Sequence, residues 1–332
     1  MPLRDPFTIA YDTRREQRTL ILCLEDGTYQ GWGEVVESVF YRTTLEGLQQ
    51  ELETHKEWVE TVFSDSEPRS FYRKMEEREI SLPLRSALDT AFYDLRARKQ
   101  HRPLWQYLGL QRPAQRISSF TIGMDRPEHM IRKIHENPWP LYKIKMGQEG
   151  DLEILERLRK ATSSPFRIDV NGGWELLQAL KYLPRLKELK VELLEQPLSP
   201  EHVSQHQELK KKQIIPIFAD ESCQHEDHVS LCAESFDGVN IKMIKAGGIT
   251  PNLSLIQKAR ERGLKIMMGC MVESSIGISV LAHLLSLVDH VDMDGALLLA
   301  EDPAEGVRVH NGGCDLLDKP GTGAELKSSY LS

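Results

Sequence analysis

The chain carries two hydrophobic rhythms, and the change from one to the other falls near Ile117. Up to about residue 37 the period is two. Thr19-Leu20-Ile21-Leu22-Cys23-Leu24 is followed by Glu25-Asp26-Gly27 and then by Tyr29-Gln30-Gly31-Trp32-Gly33-Glu34. Two β-rich runs around an Asp-Gly turn predict a hairpin. Between Pro6 and Thr19 the polar run Asp12-Thr13-Arg14-Arg15-Glu16-Gln17-Arg18 breaks the alternation, so a mobile loop is expected there. Residues 44–63 and 84–98 have helical spacing, the second with Ala87, Leu88, Ala91, Phe92 and Leu95 on one stripe. Pro103-Leu104 and Gly109 close this part. Strands followed by helices, without alternation, predict a separate α+β unit.

From Ile117 onward short apolar strands and amphipathic helices take turns. Strands are predicted at 118–122, 141–146, 166–170, 191–194, 217–219, 238–242, 265–268 and 291–293. Helices fall between them, for example at 151–161, 175–189, 251–262 and 275–288. After the last strand Gly295-Ala296-Leu297-Leu298-Leu299 leads into a non-helical tail containing Gly312-Gly313 and Pro320-Gly321. Eight strands with seven intervening helices predict a parallel (β/α)7β barrel whose active site lies at the strands' C-terminal ends. The tail is expected to return to the first unit.

Charged residues recur at those strand ends. Tyr142-Lys143-Ile144-Lys145-Met146-Gly147 places two lysines two apart, hence on one face of a strand. Taken alone, such a pair reads more readily as two solvated cations. Inside a barrel, burial and like charge would lower a lysine's pKa and make it a usable base. The third strand ends in Asp169-Val170-Asn171, the fourth in Glu195-Gln196-Pro197, the fifth in Asp220-Glu221-Ser222 and the sixth in Lys242. Asp169, Glu195 and Asp220 offer hard oxygen ligands from three directions, which suits one Mg²⁺ per subunit and not zinc. Lys145 and Lys242, from strands on opposite sides of the ring, would hold a substrate α-carbon between them. That arrangement takes a proton from one face and returns one to the other through an enediolate. Lys245, three residues on, reads as structural or as a support behind the site residues, because strand alternation turns it away from Lys242.

Composition adds exclusions. A net charge of −8 and a pI near 5.8 argue against nucleic acid or an anionic membrane as the main partner. No apolar run reaches the roughly 18 residues that span a bilayer, and the first residues carry no signal-peptide core. Cys23, Cys223, Cys232, Cys270 and Cys314 are odd in number and form no CxxC pair, which fits reduced thiols in a cytoplasm. A homo-oligomer is compatible with all of this.

The full set resembles the enolase superfamily, in which Lys or His bases work with Mg²⁺ on an enediolate. More narrowly it resembles the muconate-lactonizing subgroup, and within it the dipeptide epimerases. The resemblance implies an α+β capping domain over residues 1–115, a modified TIM barrel over 116–302, and a tail over 303–332 that completes the cap. It implies an isomerase that inverts the C-terminal residue of a dipeptide. Lys145 and Lys242 become the two bases, with Lys143 tuning Lys145 and Asn171 and Glu221 in support. Asp292 and Asp294 of Val291-Asp292-Met293-Asp294-Gly295 are expected to meet the substrate's free ammonium. Cys270, Glu273 and Ser274 of the seventh-strand run are expected to hold the carboxylate end with backbone and hydroxyl donors, and Ser119 or Thr121 to add a hydroxyl. Where Ala-Glu epimerases carry an arginine for the acidic side chain, this chain has Asp12, with Arg14, Arg15, Arg18 and Arg42 nearby. Asp12 would permit a cationic or polar second residue instead. The resemblance leaves an o-succinylbenzoate synthase or muconate cycloisomerase as alternatives, and outside it stand a phosphate-binding barrel using Gly247-Gly248 and a non-catalytic barrel.

Overall fold

Two hairpins open the chain in the computed structural model, which describes residues 1–64 and 66–330. β1 (Pro2–Ile9) pairs antiparallel with β2 (Asp12–Glu16), and β3 (Thr19–Asp26) with β4 (Tyr29–Val36). The stretch expected to be a mobile loop is therefore corrected to a strand. Asp12 and Arg14 are half-buried while Thr13 and Arg15 are exposed. Neither face of β2 is apolar, so hydropathy alternation could not reveal it.

α1 (Leu45–Val62) starts where the Thr44 hydroxyl accepts from the Gly47 amide, 3.1 Å away. α2 (Pro68–Glu77), with Phe71, Tyr72 and Met75 buried, was not predicted, although Pro68 in its first turn is a start signal. α3 (Leu82–Lys99) is buried along most of its length. Gly31 and Gly33 explain why: a Cβ at these positions would stand 2.2 Å from the Ala91 carbonyl oxygen and 1.9 Å from that of Ala87. β4 thus lies directly on the α3 backbone. Its other face carries Trp32, packed with Ile276, Ala304 and Ala324, and the buried Glu34.

α4 (Leu104–Tyr107) leads into the barrel. Its strands are β5 (Phe120–Ile122), β6 (Tyr142–Lys145), β7 (Phe166–Asp169), β8 (Val191–Glu195), β9 (Ile217–Ala219), β10 (Gly238–Ile241), β11 (Lys265–Gly269) and β12 (His290–Asp292). Between them run α5 (Pro127–Glu136), α6 (Asp151–Ala161), α7 (Leu176–Glu188), α8 (Val203–Lys211), α9 (Val229–Ser235), the short α10 (Met243–Ala246), α11 (Ile249–Glu261) and α12 (Ser275–His283). The eight strands lie side by side in chain order, and a parallel bridge between Ser118 and Val291 closes the ring. Ile144, Ile168, Leu194, Ile241 and Met268 belong to the continuous core that seats the helices.

After β12 a 3-10 turn covers Gly295–Leu298, where a non-helical tail was expected. The tail then forms the pair β13 (Ala304–Glu305) with β16 (Glu325–Leu326) and the hairpin β14 (Arg308–His310) with β15 (Gly313–Asp315). It comes back to the first unit. Thr322 N–H donates to Asp94 Oδ1 at 2.6 Å, and the Trp32 indole donates to Glu325 Oε2 at 3.2 Å. Among the described residues no helix is long and apolar enough to cross a membrane.

Candidate active site

Strand register brings the predicted residues into one row. Lys145 on β6 stands opposite Asp169 on β7, and Asp169 opposite Glu195 on β8. Asp220 follows β9 directly. Within each strand the alternation sends Lys143 and Lys145 inward, while Tyr142 and Ile144 join the outer core. One oxygen from each of Asp169, Glu195 and Asp220 lies within 4.8 Å of the others, and all three residues are buried. Glu195 Oε2 is 2.9 Å from Lys143 Nζ yet accepts no hydrogen bond. Three buried carboxylates that converge on one point, with no histidine or cysteine in the set, fit a hard divalent cation.

The lysines surround this triad. Lys145 Nζ donates to Asp169 Oδ2 at 2.7 Å and to Asn171 Oδ1 at 3.2 Å. Lys242 Nζ donates to Asp220 Oδ2 at 2.7 Å. β6 and β10 are four places apart in a ring of eight, so the two ammonium groups enter the cavity from opposite sides. Lys245 lies on α10, not on a strand, so the alternation used to turn it away does not apply. Its ammonium instead converges on the same carboxylate, donating to Asp220 Oδ1 at 2.7 Å and to the carbonyls of Asp220 and Asn240.

Charge sets the protonation of these groups. Burial opposes the Lys143 ammonium, but Asp169, Asp292 and Glu195 outweigh it and hold its pKa well above the ordinary lysine range. Lys242 is likewise held high by Asp220 and Tyr41 against burial. The lowering expected from burial and like charge within the Lys143–Lys145 pair is thus reversed at Lys143. Burial would raise Asp220, yet Lys242, Lys245 and Lys143 pull it below the carboxylate range. Burial together with Asp169 pushes Glu195 up to about 7, and burial with Asp220 pushes Glu221 up to about 8. Glu221 lines the cavity and accepts from Asn171 Nδ2 at 3.0 Å.

Across the cavity, Asp292 and Asp294 face the same space but differ in state. Asp292 accepts from Lys143 Nζ at 2.7 Å and from Ser119 Oγ at 2.8 Å. Burial would raise it, but Lys143 brings it down to about 2. Asp294 accepts from the Thr121 amide at 2.6 Å and its hydroxyl at 3.2 Å, and burial with the Asp292 charge pushes it up to about 7. Thr121 also lines the cavity, whereas Ser119 does not and acts by fixing Asp292.

The seventh-strand run departs from expectation. Cys270, Met271 and Val272 line the cavity, but Glu273 and Ser274 do not. The Cys270 amide donates to the Asp292 carbonyl at 2.9 Å and the Met271 amide to Glu273 Oε1 at 2.9 Å. Ser274 gives its amide and hydroxyl to Glu34. The donors assigned to a substrate carboxylate are therefore used within the protein.

The β1–β2 hairpin roofs the cavity. Phe7 opposes Arg14 and Ile9 opposes Asp12 in the ladder, so all four point to one side, and all four line the cavity with Tyr11 and Tyr41. Arg14 is committed: its Nε pairs with Asp12, and its Nη1 donates to Gln17 Oε1 at 2.7 Å and to the Glu37 carbonyl at 3.2 Å. Arg15, Arg18 and Arg42 do not line the cavity. Sequence reasoning also missed two supports of the triad. Gln196 Oε1 accepts from the amides of Asp220 and Ser222 at 3.0 and 3.1 Å, and Asn240 Nδ2 donates to Glu195 Oε1 at 2.7 Å. Each adjoins a residue that was singled out, Gln196 in Glu-Gln-Pro and Asn240 two before Lys242.

A capped parallel barrel with a carboxylate triad between two inward lysines defines an enolase-type enzyme. The chain belongs to the enolase superfamily: residues 128–330 match the family model described as enolase C-terminal domain-like, and residues 1–109 that of the mandelate racemase / muconate lactonizing enzyme N-terminal domain. It is 41% identical to an L-Ala-D/L-amino acid epimerase of Maribacter sp. over 94% of this chain and 93% of that protein. It is 39% identical to one of Flavobacterium johnsoniae, over 98% and 97%. A dipeptide epimerase of Cytophaga hutchinsonii, crystallised with Mg and D-Ala-L-Val, superposes with a TM-score of 0.91 at 25% identity, covering 99% of this chain and 94% of that one.

Proposed function

We propose that this protein is a Mg²⁺-dependent dipeptide epimerase that inverts the C-terminal residue of an alanyl or similar dipeptide by two-base proton transfer. The observation that carries the reading is the entry of Lys145 and Lys242 into one cavity from opposite sides of the triad. Mg²⁺ held by Asp169, Glu195 and Asp220 would supply the positive charge that makes the α-proton acidic and stabilises the enediolate. It would also offset the carboxylate charge that holds Lys242 high, so that one lysine can be a neutral amine. That amine takes the α-hydrogen and becomes an ammonium, and the opposite ammonium returns a proton to the other face. Lys143, tied to Asp169, Glu195 and Asp292, fixes the floor between them. The named activity of the two relatives at 41% and 39% identity supports the same reading. The division at residues 115 and 302, and a cytoplasmic setting supported by the odd, unpaired cysteines, belong to this proposal. Following deuterium uptake at the second α-carbon by NMR in D2O with Mg²⁺ and mixed dipeptides tests it. Conversion of the cyclohexadiene precursor to succinylbenzoate, without dipeptide exchange, would favour the synthase.

Asp294 is the group that would receive the substrate ammonium, since Asp292 is already paired with Lys143. Its pKa, raised to about 7, gives the sign of a pH effect. Below that value Asp294 is neutral and the ammonium gains less; above it the carboxylate is ready. kcat/KM for dipeptides is therefore expected to rise between about pH 6 and 8, and Asp294→Asn to flatten that limb while raising KM about tenfold. A variant whose pH–rate profile kept the wild-type limb would contradict the assignment.

The Asp12–Arg14 pair bears on the second residue. Asp12 alone would have favoured a cation, but Arg14 neutralises it. With Phe7, Ile9 and Tyr41 beside the pair, the roof suits neutral second residues. Asp12→Asn leaves Arg14 without its carboxylate, and kcat/KM for acidic second residues relative to neutral ones is expected to increase by about tenfold, the scale of one charge-assisted contact. A dipeptide library with the variant and wild-type enzymes checks this, and an unchanged ranking would rule Arg14 out.

A further inference from the structure

The Gly-Trp-Gly-Glu run of β4 ends in a carboxylate that the epimerase reading does not use. Gly31 and Gly33 press β4 against α3, which aims the alternate residues, Trp32 and Glu34, at the barrel. Glu34 is buried there and is fully engaged. Its Oε1 and Oε2 accept from the Ser274 amide at 3.0 and 3.1 Å, and Oε2 accepts from the Ser274 hydroxyl at 2.6 Å and the Gly277 amide at 3.1 Å. Thr19 Oγ1 donates to Oε1 at 3.1 Å. These donors include the N-cap amide and the third amide of α12, while the first, that of Ser275, goes to Asp302.

The residues just before that helix, Cys270, Met271 and Val272, form one wall of the substrate cavity. Glu273 braces the same loop from inside by accepting from the Met271 amide. The loop is therefore held from inside the barrel by Asp292 and Glu273, and from the N-terminal unit by Glu34. A small cavity lined by Glu34, Glu273, Thr90 and Gly277 marks the junction. We infer that Glu34 is a positioning residue: by gripping Ser274 and Gly277 across the interface it sets where the Cys270–Val272 wall stands, so that docking of the N-terminal unit and shaping of the substrate site are one event. It acts through the loop and touches no substrate.

The inference rests on the epimerase reading only for the choice of substrate. Glu34→Gln keeps the shape but turns an NH2 toward donors it cannot accept from. Asp89→Asn is the matched control: Asp89 on α3 also grips the barrel across the interface, at the Thr250 amide (2.8 Å) and hydroxyl (2.9 Å), away from the substrate wall. Well below the melting temperature, Glu34→Gln is expected to raise KM for the dipeptide about tenfold with kcat within about threefold, as a misplaced wall does. Mg²⁺ affinity by calorimetry should stay within about twofold. Amide exchange at residues 270–277 should accelerate in Glu34→Gln and not in Asp89→Asn. Ser274→Ala in the Glu34→Gln background should add little, because both act through one contact. Equal KM changes in Glu34→Gln and Asp89→Asn, or unchanged exchange at 270–277 in Glu34→Gln, would overturn the inference. The exchange measurement decides it even if no dipeptide is turned over.

Discussion

Lys145→Ala and Lys242→Ala are each expected to lower epimerisation by about 10³-fold, the range over which a positioned acid or base acts. Inversion needs both lysines in every turnover, one to remove the α-hydrogen and one to deliver a proton to the opposite face. Exchange without inversion needs only one. Each variant should therefore still wash deuterium from D2O into one epimer of the dipeptide, and the two variants should do so with opposite epimers. The geometry leads there because β6 and β10 face each other across the ring and the other two lysines at the triad are engaged: Lys143 is held by three carboxylates and Lys245 by Asp220 and two carbonyls. Epimerisation that survives in either alanine variant, or exchange of both epimers by one of them, would remove the two-base mechanism. NMR of separately prepared epimers makes the distinction directly.

Removing one ligand of the triad should have an effect as large, by another route. Glu195→Gln keeps the hydrogen bond from Asn240 Nδ2 through its carbonyl oxygen but replaces a buried anionic donor with a neutral one. Asp220→Asn leaves Lys242 and Lys245 facing an amide in a buried site, which strands two ammonium groups as well. In both variants Mg²⁺ binding by calorimetry is expected to weaken by at least about 100-fold and turnover to fall with it. Wild-type protein should lose activity in chelator and regain it on adding Mg²⁺. At a free metal concentration of about 100 Kd it should gain about 2.7 kcal/mol of stability from ligand linkage alone. Metal-induced stabilisation that persists in Glu195→Gln would show that the cation sits elsewhere.

The barrel and its chemistry were legible in the sequence for a shared reason. A buried parallel strand is an apolar run, and a charged residue at its end stands out against that run. Lys143, Lys145, Asp169, Glu195, Asp220 and Lys242 could be found because each breaks a pattern that is otherwise strict. Register then places them in one row without further information. The roof was not legible. β2 is polar on both faces, and the meaning of Asp12 depends on Arg14 two residues along the same strand, which only the pairing with Phe7 and Ile9 reveals. The seventh-strand loop failed differently. Glu273 and Ser274 looked like substrate contacts because they sit beside Cys270, but Glu273 turns back to the Met271 amide and Ser274 is taken by Glu34, 240 residues away in sequence. Lys245 was set aside on strand alternation, and the strand had already ended at Ile241.

The long separations around β4 also bear on how the chain acquires its structure. The Trp32 face of β4 meets Ile276 and, at a distance of 293 residues, Glu325. At roughly 5–20 residues per second of synthesis, the α+β unit emerges tens of seconds before the segments that cover it. Throughout that interval an apolar strand face waits without a partner, and non-local closure of this kind is slow even in the finished chain. The yield of active protein in a host cell should then follow the supply of chaperones that shield nascent chains, more than the growth temperature at which the completed barrel is stable.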